Sequence, residues 1–473
     1  MNDVKWVSVP SPFIFKEDEL RLDAEFYSKE RLKAQVLIEE LKKQGIEILN
    51  VGDNSVVKDI FWPGRFKRKY VSSKEGKPFL TPKEIFTFKI SPRKFVTGYP
   101  KDVEIKKDWI LVTRSGSVGR LIISNSILTE FILSDDIIRV IPNSEFPFGY
   151  IYAYLNTWIG QAFLTKTNYG GPIKHIEPHH VASIPIPIVD EDIILEVNKK
   201  ILKAHKMREE AQLKLSEAEE LFYQELNLSS IDEDDVEYFG GEAGRKVKAF
   251  TVRASELDLR FDASYHIPIS RKIQEEITKT GAFTQFKEIV SWIFVPSRFK
   301  RVYVESDDGI PFLQGSHLPL VKFFDIKYLW KKAPNIESLL IKRGWILMSR
   351  SGTVGNVALA TKPIENWAAS EHVIRIVPKD DVNPGYLWMA LTSIYGQVQI
   401  KAKIYGGVVD EIAERNTSLL ESILLPLPNK SIQDKIGNLV IEAYELKDKA
   451  NMLEQEAVSM LEKHLEELSG VSL

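Results

Sequence analysis

Short apolar runs rich in Ile, Val and Leu, each ended by Gly, Pro or a charge, alternate along the chain with two long stretches of a different period. Runs such as Trp109–Thr113 (WILVT), Leu121–Ser124 (LIIS) and Asp136–Pro142 (DIIRVIP) have the length and β-branched composition of strands, and they predict mixed α/β globules. From about Asp190 to Leu226 there is no Pro or Gly, and Ile194, Val197, Ile201, Ala204, Leu215, Ala218, Phe222 and Leu226 recur at near-helical intervals. A second such stretch runs from about Ser431 to Leu468, with Ile432, Ile436, Leu439, Ala443, Leu446, Ala450, Leu453, Ala457, Met460 and Leu465. Each predicts a helix roughly 55 Å long at 1.5 Å per residue, more than a small globule needs to cover its core. A helix of that kind usually packs on another, and the chain has two.

The alternation arises because the chain contains itself twice. Leu20-Arg21-Leu22-Asp23 returns as Leu259-Arg260-Phe261-Asp262, and Arg65-Phe66-Lys67-Arg68 returns unchanged as Arg298-Phe299-Lys300-Arg301. The longest match sets Trp109–Gly119 (WILVTRSGSVG) against Trp345–Gly355 (WILMSRSGTVG). Ile138-Arg139-Val140 matches Ile374-Arg375-Ile376, and Tyr169-Gly170-Gly171 matches Tyr405-Gly406-Gly407. The expected organisation is a globule over 1–189, a long helix over 190–230, a linker and second globule over 231–428, and a second long helix over 429–473. The linker is read from Asp232-Glu233-Asp234-Asp235 and the following Gly240, Gly241 and Gly244.

Charge acquires meaning only along these boundaries. The 473 residues carry 63 Lys+Arg against 66 Asp+Glu, a net of -3 that taken whole argues against a nucleic-acid partner. Residues 1–189 hold 27 basic and 22 acidic side chains and residues 241–428 hold 25 and 20, so each globule is +5. Residues 190–240 and 429–473 are -9 and -4. The cations also cluster: Pro63–Tyr70 (PGRFKRKY) sets four beside two aromatics, and Pro296–Tyr303 (PSRFKRVY) repeats the arrangement. The absence of Cys removes disulfides, thiolate metal sites and thiol nucleophiles, and fits a reducing cytosol. With no basic-then-apolar start and no apolar run of about 18 residues, the expectation is a soluble, cytoplasmic protein without a membrane partner.

Two readings of the basic segments stand side by side. As a DNA element, Arg65, Lys67, Arg68, Lys69 and Tyr70, with Arg298, Lys300, Arg301 and Tyr303, would supply phosphate contacts and an arginine fork for guanine; otherwise they form a solvated basic loop. The Arg-Ser-Gly-Ser/Thr-Val-Gly segments predict tight turns between strands, with Gly116, Gly119, Gly352 and Gly355 at positive φ. A phosphate-cradling nest is the alternative, without the P-loop spacing, and Arg114 and Arg350 are candidate DNA contacts. Lys174 is a further candidate. His175, Glu177, His179 and His180 resemble a metal cluster, but Glu411, Ala413, Arg415 and Asn416 stand opposite them in the other half, so no metal is expected. Asn383-Pro384-Gly385-Tyr386 approaches an amino-methyltransferase motif without its second Pro or a glycine-rich cofactor loop, and no Ser/His/Asp pattern or nuclease pair is complete. No catalytic centre and no cofactor in this chain are expected.

Order and duplication together resemble the specificity (S) subunit of type I restriction-modification systems over essentially the whole chain. The resemblance implies two α/β (α+β) target-recognition domains in tandem duplication, each followed by a long helix, with the helices paired as an antiparallel coiled coil of pseudo-two-fold symmetry. It implies that each globule reads one half of a bipartite double-stranded DNA target and that the helices set the spacing. Two methyltransferase (M) subunits, which bind S-adenosylmethionine, would dock on this chain, and restriction (R) subunits would join them. The alternative is a DNA-targeting or scaffold subunit of another multi-subunit phage-defence complex, again without its own catalysis.

Overall fold

A computed structural model describes residues 28–166, 175–229, 231, 249–257, 260–404, 411–412 and 418–471. The first Leu-Arg-Leu-Asp segment, Lys174, both Tyr-Gly-Gly segments and the acidic part of the linker lie outside them. The chain forms two compact units: unit 1 comprises 1–86, 90–209 and 449–473, and unit 2 comprises 87–89 and 210–448.

In unit 1, α1 (Lys29–Lys43) is capped by the Ser28 side chain, and two four-stranded sheets form the body. In the first, β2 (Val57–Phe61), β9 (Ile137–Pro142), β6 (Ile110–Thr113) and β7 (Leu121–Ile123) lie antiparallel in that order. In the second the order is β3 (Lys69–Val71), β5 (Lys94–Thr97), β4 (Lys77–Leu80) and β8 (Ile132–Leu133), with β4 and β8 parallel. A ribbon of β1 (Glu47–Asn50) and β10 (Pro185–Ile188) closes the unit. Buried side chains of β6, β7 and β9 meet α2 (Phe148–Asn156) and α3 (Trp158–Lys166); α4 (Pro178–Ala182) packs near β2. Their burial on both faces explains why the strands read as unbroken apolar runs rather than alternating ones.

Unit 2 repeats the plan. Its sheets are β12 (Val290–Phe294), β19 (Val373–Pro378), β16 (Ile346–Ser349) and β17 (Val357–Leu359), and β13 (Tyr303–Val304), β15 (Lys327–Trp330), β14 (Gly309–Leu313) and β18 (Ala368–Ala369). The ribbon is β11 (Phe283–Gln285) with β20 (Leu424–Pro426), and α6 (Pro268–Lys279), α7 (Pro384–Thr392), α8 (Ile394–Ala402) and α9 (Ser418–Glu421) complete it. Thr87–Lys89, from the first half of the sequence, belongs here: Phe88 is buried, its ring meets Tyr444 edge-on at 5.1 Å, and Thr87 bridges Leu320.

The two long stretches are the helices α5 (Glu191–Glu225) and α10 (Lys430–Ser469), which pack antiparallel. In unit 1, Lys200 pairs with Glu456 and Arg208 with Glu454; in unit 2, Lys214 pairs with Glu442 and Lys435 with Glu225. Each unit therefore takes one end of each helix. Ala457, Leu461 and Leu465 of α10 are fully buried in the core of unit 1 together with Val197 and Ile201 of α5, each large side chain contributing about 1.5–3 kcal/mol by leaving water. Among the described residues no helix is long and apolar enough to cross a membrane.

The repeat allows substitutions that preserve one function by different means. The backbone N–H of Gly149, opening α2, donates to the side chain of Asn198 on α5. In unit 2 Gly437 of α10 stands where Asn198 does, and a Cβ there would lie 2.1 Å from Asn383 Oδ1. Asn383 fills that space and caps α7 itself, accepting from Gly385 N at 2.9 Å. The Asn-Pro-Gly-Tyr segment is thus a buried helix start.

Unit 1 also carries an acid-labile anchor between α5 and its globule. Burial alone would raise the Glu209 carboxyl, but Ser126 and Lys107 donate to it and hold it at about 2, against an ordinary 4.5. Because the folded value is depressed, the anchor contributes fully above pH 4.5 and is lost as pH falls through about 2. Glu209→Gln should therefore flatten the acid limb of the unit 1 stability curve in that window; an unchanged curve by circular dichroism would refute the anchor.

Candidate nucleic-acid interface

Exposure alternates along the basic segment from Arg65 to Lys69. Arg65, Lys67 and Lys69 are exposed, whereas Phe66 packs against the cluster of Phe79, Val96, Val103 and Ile132. Arg68 shares the inward side: it lies over the Phe79 ring at 5.2 Å and forms an ion pair with Asp135 at 2.5 Å. Unit 2 repeats this, with Arg298 and Lys300 exposed, Phe299 packed on Phe312, and Arg301 over that ring at 5.5 Å and 2.7 Å from Glu371. Position 69 becomes Val302, so the second basic segment has one outward cation fewer. Tyr70 and Tyr303 each carry a lysine over the ring, Lys94 and Lys327, both at 5.0 Å.

Both Arg-Ser-Gly turns are the expected tight connections, with φ of 75° and 83° at Gly116 and Gly119 and 74° and 91° at Gly352 and Gly355. Their arginines are buried against the protein's own acids. The Arg114 side chain is 9% exposed, stacked on Trp62 and paired with Asp136 and Glu177. That of Arg350 is 2% exposed, donating to the carbonyls of Glu371 and Ile412 and paired with Glu411 at 2.6 Å. Both guanidinium groups are held by the protein's own acceptors, which fixes the turn.

One short loop touches both the basic segment and the turn: Ser134–Asp136, between β8 and β9, in unit 1, and Ser370–His372, between β18 and β19, in unit 2. Its acid, Asp135 or Glu371, binds the inward arginine of the basic segment, and its last residue binds the turn: Ser115 Oγ donates to Asp136 at 2.9 Å, and Ser351 Oγ meets His372 Nδ1 at 2.8 Å. A fully buried arginine on the next strand holds each loop from beneath. Arg139 donates to the carbonyls of Ser134, Ile137, Leu133 and Val103, and Arg375 to those of Ser370, Val373, Ala369 and Leu339. Burial pushes their pKa values down to about 10 and about 9, so both remain cationic at neutral pH. The nearby carboxylates, Asp102 and Asp135 in unit 1 and Glu371 in unit 2, oppose that fall. No motif marks these two arginines; their signal is a charge in the middle of an otherwise apolar strand, in both halves.

Three of the four residues resembling a metal cluster have other roles. His175 Nδ1 lies 2.7 Å from Ser115 Oγ, Glu177 binds Arg114, and His180 Nδ1 accepts from the Glu177 backbone at the start of α4. Among the described residues no group of three or more His, Cys, Asp or Glu side chains is placed to hold a metal ion.

The profile of the type I restriction modification DNA specificity domain matches the chain twice, over residues 55–214 and 306–447. The chain belongs to the type I restriction-modification DNA specificity family. Each match takes in one loop, one turn and part of one long helix, so the specificity domain spans both part of a globule and part of the helix pair. Among solved structures, the S subunit of a type I restriction-modification system from M. genitalium is 12% identical, with 90% of this chain and 95% of that one covered and a TM-score of 0.33. The HsdS subunit from Thermoanaerobacter tengcongensis is 15% identical, with 89% and 96% covered and a TM-score of 0.27. No curated protein matches.

Proposed function

We propose that each unit reads one half of a bipartite double-stranded DNA target, that the paired helices set the permitted spacing, and that methyltransferase subunits carrying S-adenosylmethionine dock on this chain in the cytoplasm, with restriction subunits joining them. Methyl transfer and cleavage belong to those partners. The observation that carries this reading is the duplicated basic segment, in which Phe66, Arg68, Phe299 and Arg301 turn inward and Arg65, Lys67, Lys69, Arg298 and Lys300 turn outward. Outward cations on a segment anchored from within suit phosphates, while the inward pair supports the segment. Arg114 and Arg350 act as struts of the adjoining turns.

The test uses the complex with its methyltransferase subunits. Arg65→Ala with Lys67→Ala should weaken binding at one half-site only and reduce the slope of log affinity against log salt by about 2, near 0.9 for each phosphate that is no longer neutralised. Equal weakening at both half-sites, or salt-insensitive binding throughout, would favour a scaffold that does not read DNA.

A further inference from the structure

The two interface networks are built on the same frame. Arg68 and Arg301, Arg139 and Arg375, Ser134 and Ser370, Arg114 and Arg350, and Ser115 and Ser351 correspond one to one, and the acid at 135 becomes only a longer acid at 371. Around each serine, however, a carboxylate and an imidazole trade places. Ser115 lies between Asp136 on the loop and His175 on the following segment. Ser351 has His372 on the loop and pairs in an isolated β-bridge with Glu411.

The loop residue is the outward member of each network. Asp136 and His372 side chains are 36% and 39% exposed, against 9% and 2% for the arginines of the adjoining turns. Both hydrogen bonds that Asp136 accepts from the turn, from Ser115 and Arg114, fall on Oδ1. With the Ser351 hydroxyl donating to His372 Nδ1 at 2.8 Å, the neutral imidazole carries its proton on Nε2, which lies 3.6 Å from Glu371 Oε1. One loop thus presents an acceptor, the other an N–H donor, on backbones held identically from beneath.

We propose that Asp136 and His372 are the matched base-reading positions of the two units: Asp136 takes an exocyclic amino group, cytosine N4 or adenine N6, and His372 donates to N7 or O6 of guanine. These pairings follow from the donor and acceptor pattern of the major groove. The inference rests on the DNA-reading function proposed above and adds which side chains make the two half-sites differ.

The experiment selects preferred duplexes from a randomised pool with the complete methyltransferase complex. His372→Asp should replace guanine by cytosine or adenine at one position of one half-site, and Asp136→Asn should lower the preference for an amino-bearing base at one position of the other. Each change should be on the order of tenfold to a hundredfold, as for a single mismatched base pair. The untouched half-site, read by the same molecule, reports that the chain is folded. Selection of the wild-type sequence by both variants, or loss spread evenly over all positions, overturns the assignment while leaving DNA recognition in place; failure of the wild-type complex to select any bipartite sequence overturns the underlying function.

Discussion

Arg375→Met should destabilise unit 2 by about 3–5 kcal/mol, enough to lower its thermal midpoint by roughly 6–20 °C. Methionine can fill the space, but it has no donor for the carbonyls that the guanidinium now binds, those of Val373, Ala369, Leu339 and Ser370, of which Ser370 keeps the Val373 amide. Lysine should recover little: its ammonium is a compact charge with three donors and cannot reproduce a planar fork reaching four carbonyls. The loop that carries Glu371 and His372 depends on the same bonds, so its amides should lose hydrogen-exchange protection first. A midpoint within a degree or two of wild type would show that the arginine is a passenger of the strand. Arg139→Met is the matching experiment in unit 1.

Arg208→Ala should cost unit 1 a similar amount, for a different reason. Arg208 and Glu454 are 8% and 10% exposed, and Glu454 also accepts from the Tyr152 hydroxyl at 3.1 Å while Arg208 donates to Asn451 at 2.8 Å. Removing the cation leaves a carboxylate in the helix interface with its charge uncompensated, a change worth about 3–5 kcal/mol. Replacing both by apolar side chains of similar volume, Arg208→Met with Glu454→Leu, should return most of that loss, because neither charge then has to be withdrawn from water. Denaturant titration of the two single variants and the double variant decides it: additive losses would refute the coupling. In the second helix Lys447 occupies the corresponding place, beside Asp448 and over the Tyr444 ring at 4.4 Å, and burial pushes its pKa down.

Much of this architecture is legible in the order of residues. Runs such as Ile137–Pro142 and Val373–Pro378 are strands because they are apolar on both faces, and the stretches between Asp190 and Leu226 and between Ser431 and Leu468 are helices because their period is helical. What periodicity conceals is which charge faces which way. Arg65 and Arg68 stand three residues apart in the same basic segment, yet one is exposed and the other bound to an acid 67 residues further on, a partner that no local pattern announces. Arg114 and Arg350 repeat as faithfully as a DNA contact would, because a buried strut is under the same geometric demand. Asp136 and His372 escape a search for repetition for the opposite reason: they are where the halves disagree.

The crosswise sharing of helices has a consequence for the order in which the protein is made. Unit 1 needs Ala457, Leu461 and Leu465 to close a core whose other members precede residue 202, whereas unit 2 is complete once residue 448 has been synthesised. At about 5–20 residues per second, the nascent first globule waits on the order of tens of seconds for the last segment of its own interior. The core of the amino-terminal unit therefore cannot close until all of unit 2 has been synthesised, so the cores are completed in the reverse of their order along the chain.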